Sequence, residues 1–205
     1  MDYRDSHRDL QDRFDTRRLA DRLAAVAGDV VSHFADFIEA RDMFFLATAD
    51  AEGRPQCSYK GGDPGFVRVV DDTTLAFPVY DGNGMFLSVG NLAENPAVGL
   101  LFIDFQEGSR LRVNGDASVQ ADDPLLAEHP GALMIVRVRT REVFPNCRRY
   151  VHTHGGTEPS PFVPRGDEPP PVPDWKRDPF FEGTLPEGDP ALVPEHPSAP
   201  SIPHF

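Results

Sequence analysis

The chain has 205 residues and a formal net charge of −13. This length allows one complete hydrophobic core with appendages, and the acidic balance argues against nucleic acid or an anionic membrane as a partner. No apolar run approaches the roughly 18 residues of a membrane span, and the N-terminus has no signal-peptide core, so we expect a cytoplasmic protein. Two cysteines, Cys57 and Cys147, form no disulfide framework and are expected to be free thiols.

Proline content divides the chain, because the prolines concentrate after residue 157. We therefore expect three parts, which are an N-terminal arm and helix (1–31), a central domain (32–150) and a Pro-rich tail (151–205). The tail is expected to be partly packed, through Phe162, Val163, Trp175, Phe180 and Phe181, with a disordered end. Residues 1 to about 14 are charged and lack an apolar period, which predicts a loose arm.

Two helices are predicted before the first strand. Leu19, Leu23 and Val26 recur at helical spacing after Asp15, and Gly28 ends the pattern. A second helix is predicted from Asp29 to about residue 42, with Val31, Phe34 and Ile38 on one stripe.

Short apolar or alternating runs bounded by turn residues then predict strands. They cover residues 43–49, 55–60, 66–70, 73–77, 98–105, 110–120 and 132–144. The run over 98–105 is nearly continuous in apolar residues, so we expect it to be central in its sheet. Tight turns join most strands and one helix interrupts them, which favours a six- to seven-stranded antiparallel barrel over a βαβ sheet.

That single helix lies in the stretch from Phe77 to Pro96. Residues 81–84, Asp-Gly-Asn-Gly, offer flexible backbone and an N-cap, and helical spacing continues until Asn95-Pro96. A helix that starts there directs free backbone N–H groups at any anion above the loop, such as a phosphate. The alternative is an ordinary strand–helix connection whose glycines only form the turn.

Arginines gather on the polar faces of two predicted strands, at Arg110, Arg112, Arg137, Arg139 and Arg141. Their partners are either carboxylates of the chain itself or a phosphorylated or carboxylated ligand. Lys60 ends the second strand beside two glycines, where a ligand can approach the backbone, and Tyr59 and Tyr80 offer flat contacts.

Catalytic motifs are absent, since there is no P-loop, no GxGxxG after a strand, no nucleophile elbow and no CxxC. His152 and His154 have strand spacing but no further ligands nearby, so no metal site is predicted. No catalytic side chain is predicted either. If the protein is an enzyme, a bound cofactor carries the difficult step.

The order of elements resembles the FMN-binding split barrel of the pyridoxamine 5′-phosphate oxidase type over roughly residues 32–147. The most specific parts are a strand–EGRP–strand hairpin, a helix ending in NP and followed by VGLLF, and the strand RLRVNG. The resemblance implies a homodimer with FMN at the subunit interface and a small-molecule substrate.

Residue by residue, the resemblance implies FMN contacts at Gln56, Cys57, Ser58, Tyr59, Lys60, Pro78, Val79, Tyr80, Asn83, Gly84, Met85, Arg110 and Arg112. Where the oxidases place an Arg-Lys pair at the helix start to hold the phosphate, this chain has Gly84-Met85. The phosphate would then rest on backbone N–H groups of residues 83–85, Lys60, and Arg110 or Arg112. The substrate-binding Arg and His of those oxidases have no counterpart that can be placed in the tail.

The sequence therefore favours an FMN-dependent oxidoreductase that acts on an unidentified small organic substrate. One alternative is a split barrel that holds a deazaflavin or haem in the same cleft. The other is a barrel that binds a ligand without turnover.

Overall fold

The structure is a computed structural model that describes residues 1–146, 151–152, 171–172, 174–177, 179, 185 and 188–194. Its helices are α1 Asp5–Arg13, α2 Arg17–Val26, α3 Ala35–Glu39 and α4 Leu87–Glu94. Its strands are β1 Met43–Ala49, β2 Pro55–Gly61, β3 Arg68–Asp71, β4 Thr74–Tyr80, β5 Ala97–Asp104, β6 Ser109–Gln120 and β7 Ala132–Asn146. Short 3₁₀ turns cover Ser32–Phe34, Pro124–Glu128, Asp174–Arg177 and Pro190–Leu192.

The seven strands form one antiparallel sheet in the order β2-β1-β5-β6-β7-β4-β3. This confirms the predicted fold class, a seven-stranded split barrel. The apolar strand β5 lies inside the sheet between β1 and β6, as its nearly continuous apolar run predicts.

The sheet curls so that its distant strands meet over a common core. Phe44 on β1 and Phe77 on β4 are four strands apart in the sheet order, yet their ring centroids are 4.9 Å apart. In a flat sheet those strands would be separated by about 19 Å, four times the interstrand spacing of about 4.8 Å. Phe66 and Phe102 also pack against Phe44, and all four rings are buried.

Helix α4 closes one opening of the barrel. Leu92 is buried in the core, and Asn91 Nδ2 donates a hydrogen bond of 3.0 Å to Thr48 Oγ1 on β1. Asn95 Nδ2 donates to the carbonyl oxygen of Asp50 at 3.4 Å. These side chains hold the helix at the end of β1, with its N-terminal end facing β2.

The prediction of a loose arm over residues 1–14 is wrong, because Asp5–Arg13 form helix α1. Polar contacts between the first residues of the chain and α2 hold this helix, and such contacts leave no apolar period in the sequence. Arg8 pairs with Asp21, and the Tyr3 hydroxyl donates to the carbonyl oxygen of Ala20 at 3.2 Å. The helix predicted after Asp15 is present as α2, but Leu19, Leu23 and Val26 are more than half exposed instead of buried.

The helix predicted over residues 29–42 is shorter than expected. It consists of the 3₁₀ turn Ser32–Phe34 followed by α3, Ala35–Glu39. Val31 and Ile38 are fully buried in the core, so the apolar stripe is correctly placed even though the helix is short.

The arginines of β7 are partly neutralised by the chain's own carboxylates. Arg137 binds the fully buried carboxylate of Asp123 through Nε at 2.5 Å and Nη2 at 2.9 Å. Arg141 lies 3.5 Å from the carboxylate of Asp116, and Arg139 is exposed. The internal-pairing alternative therefore holds for two of these three arginines.

No helix in the described part of the chain is long and apolar enough to cross a membrane. The predicted packing of Phe162, Val163, Phe180 and Phe181, the Trp175 side chain and most of the final twenty residues lie outside what the structure describes. Cys147 and His154 lie outside it as well.

We predict that Gly115→Ala destabilises the fold by about 2–3 kcal/mol, because a β-carbon there would clash with backbone. Gly115 lies at the bulge of β6, and its β-carbon would be 2.3 Å from the carbonyl oxygen of Arg139. Urea unfolding measures the change. The control is Gly90→Ala on α4, where nothing lies within 4 Å of the added carbon and stability should rise by up to about 1 kcal/mol. Equal effects at both positions would contradict the assigned clash.

We also predict that Asp123→Asn lowers the free energy of unfolding at pH 7 by about 3 kcal/mol, because Arg137 loses its buried partner. Hydrogen bonds from Arg137 lower the pKa of Asp123. Its stabilisation is therefore complete above the unfolded-state pKa of about 3.9 and is lost as the pH falls below that value. Asp116→Asn is the control, because the pair with Arg141 is half-exposed and should contribute less than about 1 kcal/mol. Similar losses in the two variants would contradict this assignment.

Candidate functional site

A cavity of ≈ 380 Å³ opens between β2, the β4–α4 connection and the start of α4. It brings together ten of the thirteen residues that the sequence predicts for a cofactor site. These ten are Gln56, Cys57, Ser58, Tyr59, Lys60, Val79, Tyr80, Asn83, Gly84 and Met85. Two segments separated by about twenty residues in sequence therefore line a single cavity.

The polar floor of this cavity consists of Ser58, Lys60 and Ser88. Ser58 Oγ lies 3.1 Å from Ser88 Oγ, and Lys60 Nζ donates to Ser88 Oγ at 3.4 Å. Alternation along β2 directs Ser58 and Lys60 to the same side, where α4 supplies Ser88. The two serines and the ammonium form a small donor-rich cluster inside the barrel mouth.

Lys60 is the only positively charged side chain that lines the cavity within the described residues. Burial lowers the pKa of its ammonium group. Among the described ion pairs, none involves Lys60. A half-buried cation with only a hydroxyl partner favours an anionic ligand, because the ligand would replace the lost hydration.

Two tyrosines lie at the site, Tyr80 at the end of β4 and Tyr59 on the edge strand β2, where its ring packs on the outer face of the sheet. Tyr59 and Tyr80 line the cavity from β2 and from the end of β4, and burial raises the pKa of both phenols. Tyr59 also packs edge-on against Phe45, with ring centroids 6.2 Å apart. The ring systems are neutral at physiological pH and suit an aromatic ligand.

A second, smaller cavity of ≈ 220 Å³ continues from the first into the barrel core. The two cavities share Tyr59, Lys60, Tyr80 and Ser88. The inner walls are apolar and come from core side chains, namely Leu46, Phe66, Phe77, Leu92 and Val136. Pro78, the eleventh predicted residue, lines this inner part.

The prediction that residues 81–84 supply the N-cap of α4 is wrong, because the helix begins at Leu87. Phe86 occupies the N-cap position with a φ of 48°, and no side chain caps the helix. Asn83 does not cap it either, since its Oδ1 accepts a hydrogen bond of 3.1 Å from the backbone nitrogen of Met85 within the loop. The sequence misses this start because a left-handed phenylalanine leaves no signal in the local pattern.

The start of α4 carries no basic residue at its observed position. The residues there are Phe86, Leu87 and Ser88, and none of them is charged. The helix start therefore lacks a basic pair, as the resemblance indicated for Gly84-Met85.

Arg110 and Arg112 do not line the cavity of the same chain. Register pairs Tyr59 with Phe45, and Leu101 with both Phe45 and Arg112, so these side chains share one face of the sheet. Lys60 follows Tyr59 and points to the opposite face. Arg110 is two residues from Arg112 and lies on the same outer face.

A third hollow of ≈ 540 Å³ lies on the far side of Tyr59 and is lined by Arg41, Asp42 and Asp104, among others. Arg41 forms an ion pair with Asp104 and lies over the Phe37 ring at 4.9 Å. Its positive charge is balanced within the chain, so this hollow is a poorer candidate for an anionic ligand.

Several cavity residues escape the sequence prediction, namely Gly82, Phe86, Leu87, Ser88 and Val89. Ser88 is the most important of them because it contacts both Ser58 and Lys60. Its helical position was readable from the sequence, but the face that it presents depends on where α4 starts.

The fold and the ligand-sized cavity at the mouth of the barrel define a split-barrel protein with a candidate ligand site. The family model described as pyridoxamine 5′-phosphate oxidase matches residues 31–146, more than half of the chain. The chain belongs to this family. No curated protein sequence matches the chain significantly.

Several solved structures are similar to this chain at low sequence identity. HupZ from group A Streptococcus is 18% identical, with 60% of this chain and 98% of that chain covered and a TM-score of 0.45. A putative pyridoxamine 5′-phosphate oxidase from Lactobacillus delbrueckii is 24% identical, with 57% and 94% covered and a TM-score of 0.46. HutZ from Vibrio cholerae, a heme storage protein, is 20% identical, with 56% and 93% covered and a TM-score of 0.40.

The two lysines of the chain should react at different rates with an amine acylating reagent at pH 8. Burial lowers the pKa of Lys60, whereas Asp81 and Asp189 raise the pKa of Lys176 against the opposing effect of its burial. We expect Lys60 to be modified faster, because a lower pKa leaves a larger fraction of the amine in the reactive neutral form at pH 8. Peptide mass mapping measures both rates, and the urea-unfolded chain is the control in which they converge. Equal rates in the native protein would contradict the described environments.

Proposed function

We propose that this protein is a homodimeric FMN-dependent oxidoreductase that acts on a small organic substrate in the cytoplasm. The observation that carries the proposal is the placement of Lys60. It is a half-buried cation with a hydroxyl partner and no ion pair among the described residues, at the mouth of a cavity flanked by tyrosines. Family membership makes a flavin the first ligand to test there.

The size and chemistry of the cavity are compatible with FMN. Its ≈ 380 Å³, extended by ≈ 220 Å³ of apolar space, fall within the range of about 300–1,000 Å³ typical of cofactor pockets. The donors of Lys60, Ser58 and Ser88 suit the phosphate and ribityl hydroxyls, while Tyr80 suits a flat ring.

A bound flavin would supply the hydride-accepting centre, so no side chain of the cavity need act as a general acid or base. The chain's own residues would bind and orient the flavin. Lys60 offers positive charge, the inner cavity provides apolar surroundings, Pro78 lines the inner cavity, and Val79 lines both cavities.

A dimer would supply the positive charge that one chain lacks. Lys60 is the only cation lining the cavity among the described residues, whereas Arg110 and Arg112 lie on the outer face with Tyr59, Phe45 and Leu101. If two outer faces pack together, Arg110 of the partner subunit approaches the cavity mouth. This arrangement replaces the missing basic pair at the helix start.

The proposal predicts that the purified full chain retains flavin absorption bands after incubation with excess FMN and desalting. Lys60→Met and Arg110→Met should each raise the Kd for FMN roughly 10- to 100-fold, the effect of losing one charge-assisted hydrogen bond. Arg54→Met is the matched control, because Arg54 pairs with Asp50 and Glu52 at an exposed turn. A wild-type protein that is colourless after desalting would contradict FMN binding, and bands of a deazaflavin or haem would identify the alternatives.

Mixing the two weakened variants tests whether the arginine comes from the partner. Co-refolded Lys60→Met and Arg110→Met chains form heterodimers in which one of the two sites has both native residues. Tight FMN binding should then return to roughly one quarter of all sites, because random pairing gives half heterodimers. A mixture no better than its parents would show that Arg110 acts within its own chain or not at all.

A further inference from the structure

Lys176, in the C-terminal part of the chain, forms a buried ionic bridge to the cavity loop. Its Nζ donates to Asp81 Oδ2 at 2.7 Å and to Asp189 Oδ2 at 2.9 Å. The Lys176 side chain is 8% exposed and that of Asp189 is 5% exposed, whereas that of Asp81 is 58% exposed. The ammonium group is therefore buried beside one carboxylate and reaches a half-exposed carboxylate on the loop.

Asp81 is the first residue after β4, and the loop that follows it walls the candidate cofactor cavity. Gly82 to Phe86 line that cavity and are exposed. Gly84 and Phe86 both have positive φ, and α4 has no side-chain cap. The loop has little internal support, so its position depends on contacts at its ends.

On the C-terminal side, the bridge ends at Asp189, which is buried and hydrogen-bonded. Asp189 accepts a hydrogen bond of 2.9 Å from the backbone nitrogen of Ala191 and thereby caps the 3₁₀ turn Pro190–Leu192. Val172, four residues before Lys176, is 3% exposed. The ammonium group of Lys176 therefore contacts buried Asp189 on one side and Asp81 of the loop on the other.

We infer that Lys176 is a positioning residue, and that its ion pairs with Asp81 and Asp189 act as a strap that holds the loop of residues 81–86 in the shape required for cofactor binding. The inference rests on the proposed function for the identity of the cofactor, but the strap itself is defined by the contacts of Lys176. Removal of this ammonium leaves the carboxylates of Asp81 and Asp189 facing each other, so repulsion replaces attraction and the loop is released.

The test compares the full-length wild type with Lys176→Met, Asp81→Asn, the double variant and the rescue variant Lys176→Arg. Arg17→Met is the control, because it removes a basic residue whose exposed ion pair with Asp12 lies in the N-terminal helices. Backbone hydrogen exchange is measured without ligand over residues 82–87 and, as a reference, over β5 and β6. The Kd for FMN is measured on the same samples.

We expect exchange over residues 82–87 to be about tenfold faster in Lys176→Met and in Asp81→Asn, with no further change in the double variant, because both remove one shared interaction. Lys176→Arg should restore most of the protection. The Kd for FMN should rise in parallel in the single variants, while β5, β6 and the Arg17→Met control keep wild-type behaviour.

Three results would overturn the inference. They are wild-type exchange of the loop in Lys176→Met, faster exchange that extends equally to β5 and β6, and a looser loop with an unchanged Kd. The first shows that the bridge does not hold the loop. The second shows that Lys176 only supports global stability, and the third that loop position does not matter for binding.

Failure of the proposed function has a different signature. If the wild type binds no FMN, that proposal falls, whereas faster exchange confined to residues 82–87 in Lys176→Met still establishes the strap. The ligand-free measurement therefore separates the two inferences.

Discussion

The contact between Phe44 and Phe77 joins strands that are four places apart in the sheet order, and the binding cavity depends on it. Because the sheet curls around this pair, the edge strand β2 and the end of β4 come to face each other. Helix α4 then covers the opening, anchored by Leu92 and by the hydrogen bond from Asn91 to Thr48. A buried aromatic cluster thus creates the space in which Lys60, Tyr59 and Tyr80 converge.

The two walls of that space differ in how they are held. The β2 wall belongs to the sheet and has a ladder partner at every residue from Pro55 to Gly61. The opposite wall is a loop with two positive-φ residues and an uncapped helix start, fastened by Lys176. The two lysines of the chain have contrasting environments, since Lys176 is neutralised by two carboxylates and Lys60 has none within the described residues. We propose that one ammonium positions the loop and that the other binds the ligand.

Prediction from the sequence succeeded where the signal is local or where the family resemblance supplied it. All seven strands were found, because the alternation and turn residues that define them lie within a few positions of each other. Residues 56–60 and 79–80 were assigned to the site through the resemblance, and the structure brings them together. Helix α1 was missed because ion pairs with α2, not an apolar stripe, hold it. The start of α4 was misplaced because Phe86 adopts a left-handed conformation in a stretch where glycines suggested the turn.

By itself, the sequence determined the strand pattern and the acidic balance, since these follow from neighbouring residues. Its resemblance to a known family supplied the location of the candidate site on β2 and before α4. Only the tertiary structure decided that Ser88 meets Ser58 and Lys60, that Arg137 is neutralised by Asp123, and that Arg110 faces away from the cavity. It also decided that Asp81 is bound by Lys176, 95 residues later in the chain. The physical reason is that such contacts depend on how the sheet curls and where each helix starts, and packing over the whole domain sets both.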